Sequence, residues 1–162
     1  MKTLNRCLLV LLPLCLLVAG CGKKEEKAAP SPGSGQQGAG AKKESVVKIP
    51  DTVKGKWRAV KISVLDKQTN QETVLTIPIG QEARVPGSAV SIEVDTFLPH
   101  FIIDGTALTS QSNDPKNPAA HIRLLENGKE IHKGWLYSLY PTTHAFQHPR
   151  YGFTLVDFIP AS

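Results

Sequence analysis

Two histidines four residues apart, His144 and His148, have the type and spacing that most directly suggest chemistry. On one face of a helix, such a pair of imidazoles can ligate a metal ion or a haem iron. Their flanks argue for another geometry. Pro149 biases His148 toward extended dihedrals, and Pro141 and Pro149 leave room for at most a single helical turn between them. The competing account is a tight turn whose histidines hydrogen-bond neighbouring backbone. His100 becomes a further ligand only if the fold brings it close. His121 and His132 are expected on one outer face of a hairpin, but Arg123 is expected to face His132 there. A cation disfavours a metal, so that face reads as exposed polar sheet.

Other catalytic signatures are missing from the sequence: there is no Gly-x-Ser-x-Gly, no phosphate-cradling glycine loop and no His-Glu-x-x-His. The acids are scattered, and Ser110 and Ser112 fall in a polar stretch with no adjacent base. Aromatic side chains are instead concentrated. Seven of the chain's ten lie between Gly134 and Phe158. Trp135 and Tyr137 are expected to fill core, whereas Tyr140, Phe146 and Tyr151 sit in or beside the Pro141–Pro149 segment. An exposed aromatic rim there would bind a partner. Trp135, Tyr140, Phe146, Arg150 and Tyr151 are therefore the candidate partner-binding residues of a non-enzymatic module.

The N-terminus carries a different chemistry. Lys2 and Arg6 form a basic start, Cys7 to Val18 is an apolar run with Pro13 inside it, and Ala19-Gly20-Cys21 follows. The run falls short of the roughly 20 residues a bilayer span needs. Together these features resemble a bacterial lipoprotein signal, with 1–20 as the signal peptide. The resemblance implies a diacylglycerol on Cys21 after cleavage before it. Cys7 and Cys15 would leave with the signal, so the mature chain would have no free thiol for a disulfide, a thiolate metal site or a nucleophile. The expected address is the cell envelope, lipid-anchored and facing the periplasm. Gly22, where enteric sorting to the inner membrane would use Asp, favours the outer membrane.

Residues 21–45 start as Lys23-Lys24-Glu25-Glu26-Lys27 and continue in Pro, Ser, Gly, Gln and Ala, with no large aliphatic residue before Val46. Such a stretch cannot bury enough apolar surface to offset its ordering entropy, so it reads as a flexible linker. Its typical span is roughly 25–30 Å. The formal charge of +5 is largely a property of leader and linker, since 46–162 holds 12 basic and 11 acidic residues. A clustered basic face is not implied, and nucleic acid is not an expected partner.

Residues 46–162 are long enough for one domain with a core of its own. Short alternating runs separated by turn signals predict strands. Val60, Ile62 and Val64 pair across the Asp66–Gln71 turn with Leu75, Ile77 and Ile79. Val90, Ile92 and Val94 form a third strand, and Phe101-Ile102-Ile103 a fourth. Asn127-Gly128 predicts a primed turn between Ala120–Leu125 and Glu130–Tyr137. Simple register then sets Leu124 opposite Ile131 and Ala120 opposite Trp135. One face gathers Ala120, Ile122, Leu124, Ile131, Trp135 and Tyr137, with Lys133 as a misfit. The other gathers His121, Arg123, Glu130 and His132. A last strand runs from about Tyr151 to Phe158. The expected fold is mostly β, a single small antiparallel sandwich or barrel of about six to seven strands.

The pattern Gly134-Trp135-x-Tyr137, then Pro141, then His148-Pro149-x-Tyr151 resembles an uncharacterised family of exported bacterial proteins, the domain of unknown function catalogued as 2155. Its members show Gly-Trp-x-Phe, Pro and Glu-His-Pro-x-Tyr, so Gln147 replaces the usual Glu. The resemblance spans most of the domain and implies no activity. Leu125–Glu130 followed by His148–Phe153 is also similar to the extracytoplasmic β domain of ResB-type cytochrome c assembly proteins. That similarity implies, as the alternative function, a periplasmic haem- or metal-handling accessory using His144 and His148. Otherwise no cofactor is expected beyond the covalent lipid. The leading expectation is an envelope lipoprotein that reaches the membrane through its anchor and binds another envelope protein.

Overall fold

The structure, a computed structural model, describes residues 45–162. The signal peptide, Cys21 and all of the linker but Ser45 lie outside the described residues. Ten strands form: β1 (Val46–Val47), β2 (Trp57–Asp66), β3 (Gln71–Pro78), β4 (Glu82–Arg84), β5 (Val90–Leu98), β6 (Phe101–Asp104), β7 (Ala107–Ser110), β8 (Ala119–Glu126), β9 (Lys129–Tyr137) and β10 (Tyr151–Pro160). They make three sheets, ordered β10-β2-β3, β4-β5-β8-β9 and β1-β7-β6, none of which closes on itself. The first two pack face to face as a sandwich. β1, β4 and β7 add to the strands expected from sequence because each is too short to display an alternation.

Alternation builds the core. Val60, Ile62 and Val64 of β2 point inward with Ile77 of β3 and Leu155 of β10, against Val90, Ile92 and Val94 of β5 and Ile122 and Leu124 of β8. Burying each such aliphatic side chain stabilises by about 1.5–3 kcal/mol. The Trp57, Phe97 and Phe158 rings, with centroids 5.0–5.3 Å apart, fill one end of the sandwich. At that same end β1 joins β7, Pro160 pairs with Trp57, and the Ala161 N–H donates to the Lys56 carbonyl. The opposite end carries the β2–β3 turn, Val90, the β8–β9 turn and Tyr151. Asn127 and Gly128 both have positive φ, 53° and 77°, as a type I′ turn requires.

The β8–β9 register differs from the simple one. Glu126 pairs with Lys129 and Leu125 with Glu130, but Leu124 pairs with His132, Ile122 with Gly134 and His121 with Trp135. Ile131 is the extra residue of a β-bulge, and every later β9 side chain changes face. This removes the misfit: Lys133 lies outside, opposite Arg123, and Trp135 and Tyr137 go outside with it. His132 turns to the core side. The outer aromatics remain packed, because Trp135, Tyr137 and Leu108 cover Leu98, Phe101 and Ala119 in a second, smaller core beneath the β6–β7 hairpin. Farther along this face Asp95, itself the extra residue of a β5 bulge, accepts from His121 Nδ1 at 2.9 Å and Arg123 Nε at 3.2 Å, while Glu93 also binds Arg123.

Candidate functional site

The site is assembled by the connection between β9 and β10. After β9 the chain passes through exposed Leu139 and Tyr140, and the Thr143 N–H bonds back to the Tyr140 carbonyl at 3.0 Å. His144 takes a positive φ of 52° and is exposed. No helix forms here, as the bracketing prolines predict, so the two histidines share no helical face. Phe146 returns to the body of the domain, where its ring stacks on His132 at 4.5 Å and 15°.

His148 is buried, with 7% of its surface accessible. Its Nδ1 accepts the backbone N–H groups of Arg150 at 3.1 Å and Tyr151 at 3.0 Å. A proton on Nδ1 would break both bonds, so the neutral ring carries its proton on Nε2, which lies 4.0 Å from Glu126 Oε1. The turn is clamped from the β2–β3 side. Lys67 donates its Nζ to the His148 carbonyl and its N–H to the Arg150 carbonyl, each at 2.8 Å. Arg150 grips Asp66 Oδ2 through Nε at 3.0 Å and a terminal nitrogen at 2.7 Å. That hydrogen-bonded guanidinium holds the Asp66 carboxyl below its ordinary range.

A cleft of about 620 Å³ opens at this end, lined by Gly87, Ser88, Ala89, Val90, Glu126, Ile131, Phe146, His148, Pro149, Arg150 and Tyr151. Of the candidate partner-binding residues, Phe146, Arg150 and Tyr151 meet here. Trp135 does not, because the β9 bulge sends it to the opposite face against Phe101. Tyr140, 59% accessible, stands outside the lining. Of the candidate metal ligands, only His148 lines the cleft. His100 is engaged with Ser112 beside β6, at 3.2 Å. Among the described residues no group of three or more His, Cys, Asp or Glu is arranged to hold a metal ion. The sequence reading missed Glu126 and Ile131 as site residues. The inward position that the straight register gives Lys133 is the signal that points to the bulge and so to Ile131, whereas Glu126 pairs with Lys129 in either register and carries no such signal.

Ser88 is the one serine of the lining, and its hydroxyl is held by its own turn. It donates to the Val85 carbonyl at 3.0 Å and accepts the Val90 N–H at 3.1 Å. It is not presented to His148 as a nucleophile would be. The geometry offers an apolar trough with a carboxylate and an imidazole N–H at its edge, suited to holding a ligand.

The family model described as "Uncharacterized protein conserved in bacteria (DUF2155)" matches residues 60–157. The chain belongs to this family. The matched region contains the whole lining of the cleft, from Gly87 to Tyr151. The Gly-Trp and His-Pro-x-Tyr elements that carry the resemblance have distinct structural duties. Gly134 lies under the His132 ring, and His148 with Pro149 shapes the cleft wall. No curated protein and no solved structure matches the chain.

Proposed function

We propose that this DUF2155 protein is a non-enzymatic lipoprotein of the bacterial cell envelope, anchored through a diacylglycerol on Cys21, whose β domain binds another envelope protein at the Phe146–Tyr151 cleft. The observation that carries the binding site is the convergence there of Phe146, Ile131, Tyr151 and Val90 around a preorganised His148. Apolar walls with a few fixed polar groups are the usual makeup of a recognition site. Bonds from Lys67 and Arg150 hold the loop in shape before any partner arrives, which lowers the ordering cost of association. Anchoring is supported by the sequence alone: the basic start, the apolar run and Ala19-Gly20-Cys21.

Two measurements test the proposal. A photo-crosslinking residue at Phe146 is expected to trap a discrete protein adduct in intact envelopes, whereas one at Ile103, 67% accessible and at the other end of the domain, is not. Equal trapping from both positions would remove the site. Feeding a clickable fatty acid is expected to label the wild-type chain, and Cys21→Ser should abolish the label and move the protein to the soluble fraction. A membrane-bound Cys21→Ser protein would overturn the anchor.

A further inference from the structure

We propose that the cleft receives a lysine or arginine side chain from an extended segment of its protein partner, with Glu126 taking the cationic head and Ile131 and Phe146 packing along the aliphatic stem. This rests on the binding role assigned to the cleft above and adds the chemistry of the occupant.

Charge is the first argument. The Glu126 side chain is 46% accessible and its nearest potentially cationic neighbour is His148 Nε2 at 4.0 Å. Among the described residues no lysine or arginine approaches it within 4.0 Å. The only arginine of the lining, Arg150, is turned to Asp66 by two hydrogen bonds, at 2.7 and 3.0 Å, so its charge is already balanced. Glu126 therefore holds no close ion pair, since even Lys129, its partner across the hairpin, stays beyond 4.0 Å, and an acidic occupant would meet the carboxylate in repulsion.

The walls supply the second argument. Lysine and arginine bury a hydrocarbon stem while keeping the head at a polar edge. Ile131, placed by the β9 bulge, and half-buried Phe146 line the same cleft as Glu126 and offer that stem apolar surface. A cleft of about 620 Å³ exceeds what one side chain fills, leaving space for the residues on either side of the cation. A peptide segment meets that requirement, and an isolated amine does not.

The test is a selection of a random peptide display library on the full chain in detergent micelles, repeated on Glu126→Gln and on Phe146→Ala. Circular dichroism melts check that each variant is folded. Selected peptides are expected to carry Lys or Arg beside apolar residues and to bind Glu126→Gln roughly tenfold or more weakly, as loss of a charge-assisted hydrogen bond implies. Peptides that depend on Phe146 but show no basic bias, or bind Glu126→Gln as well as wild type, would overturn this inference and leave the cleft reading standing. Recovery of no peptide that distinguishes wild type from Phe146→Ala would overturn both.

Discussion

Gly134 lies so close beneath the His132 ring that a β carbon built on it would stand 2.7 Å from Nε2. The ring is confined on its other flank by Phe146, so it cannot swing away without giving up the stack. Gly134→Ala should therefore destabilise the domain by about 1–3 kcal/mol, the usual range for overpacking. Adding His132→Ala should recover much of that loss, because the two substitutions act on one contact. Urea denaturation of the single and double variants measures the coupling. Strict additivity would mean that the ring is not what excludes the methyl group.

His148 acts as a backbone staple. His148→Ala leaves the Arg150 and Tyr151 N–H groups without their acceptor, a loss of about 1–3 kcal/mol for a buried donor. Asn at the same position retains an acceptor and should lose less. Hydrogen exchange separates the two: the Arg150 and Tyr151 amides should exchange much faster in His148→Ala and stay protected in His148→Asn.

Acid should weaken the fold in two stages. Burial pushes the His121 and His132 imidazoles below the ordinary value of 6.5, outweighing Asp95 and Glu130 respectively, which act to raise them. The folded state then binds fewer protons than the unfolded chain. This stabilisation is complete above the unfolded value and is lost as pH falls from there through the depressed folded values. Asp66 and Asp157 behave likewise at lower pH: hydrogen bonds from Arg150 and Lys61 hold their carboxyls below 3.8, and that contribution disappears only as pH falls through the lowered values. Denaturation midpoints between about pH 8 and pH 5 should decline, and His121→Gln with His132→Gln should flatten the decline. An unchanged slope in the double variant would refute the assignment.

Trp135 belongs to a packing contact remote from the cleft. Its ring lies 5.1 Å from Phe101 and 4.9 Å from His121, holding the β6–β7 hairpin to the sheet. Trp135→Ala should cost about 2–3 kcal/mol, somewhat less than full burial would imply. Crosslinking from Phe146 should be unaffected. A selective loss of crosslinking with stability intact would return Trp135 to the recognition surface.

The long strands were legible because Val60-x-Ile62-x-Val64 and Val90-x-Ile92-x-Val94 state their buried face outright, and Asn127-Gly128 names its turn. The β9 bulge was not legible. Glu130-Ile131-His132 shows no glycine or proline, and only the inward position assigned to Lys133 signalled that the straight register was wrong. That single slip decided which face held Trp135 and His132, and hence the composition of the site. His148 was read correctly as a turn residue bonding nearby backbone because Pro149 constrains it locally. The proximity of Glu126 depends on tertiary packing between elements more than 20 residues apart, which no local pattern encodes.

The cleft and the entry of the chain at β1 occupy opposite ends of the sandwich, and this has a mechanical meaning if the domain is tethered. A partner in the cleft and a membrane holding the N-terminal side would pull along the strands, loading many transverse ladder bonds together. The first element to yield would be β1, held by the Val46 N–H on the Thr106 carbonyl and the Lys48 N–H on the Leu108 carbonyl, each at 2.9 Å. Its release would free residues 46–48, about 10 Å of extended chain, before the buried Val53 and the sandwich behind it bear strain. Pulling single molecules from residue 45 against a crosslink at Phe146 should show that short step ahead of global unfolding. The domain would then have a compliant, resettable extension at its base while its recognition end stays rigid.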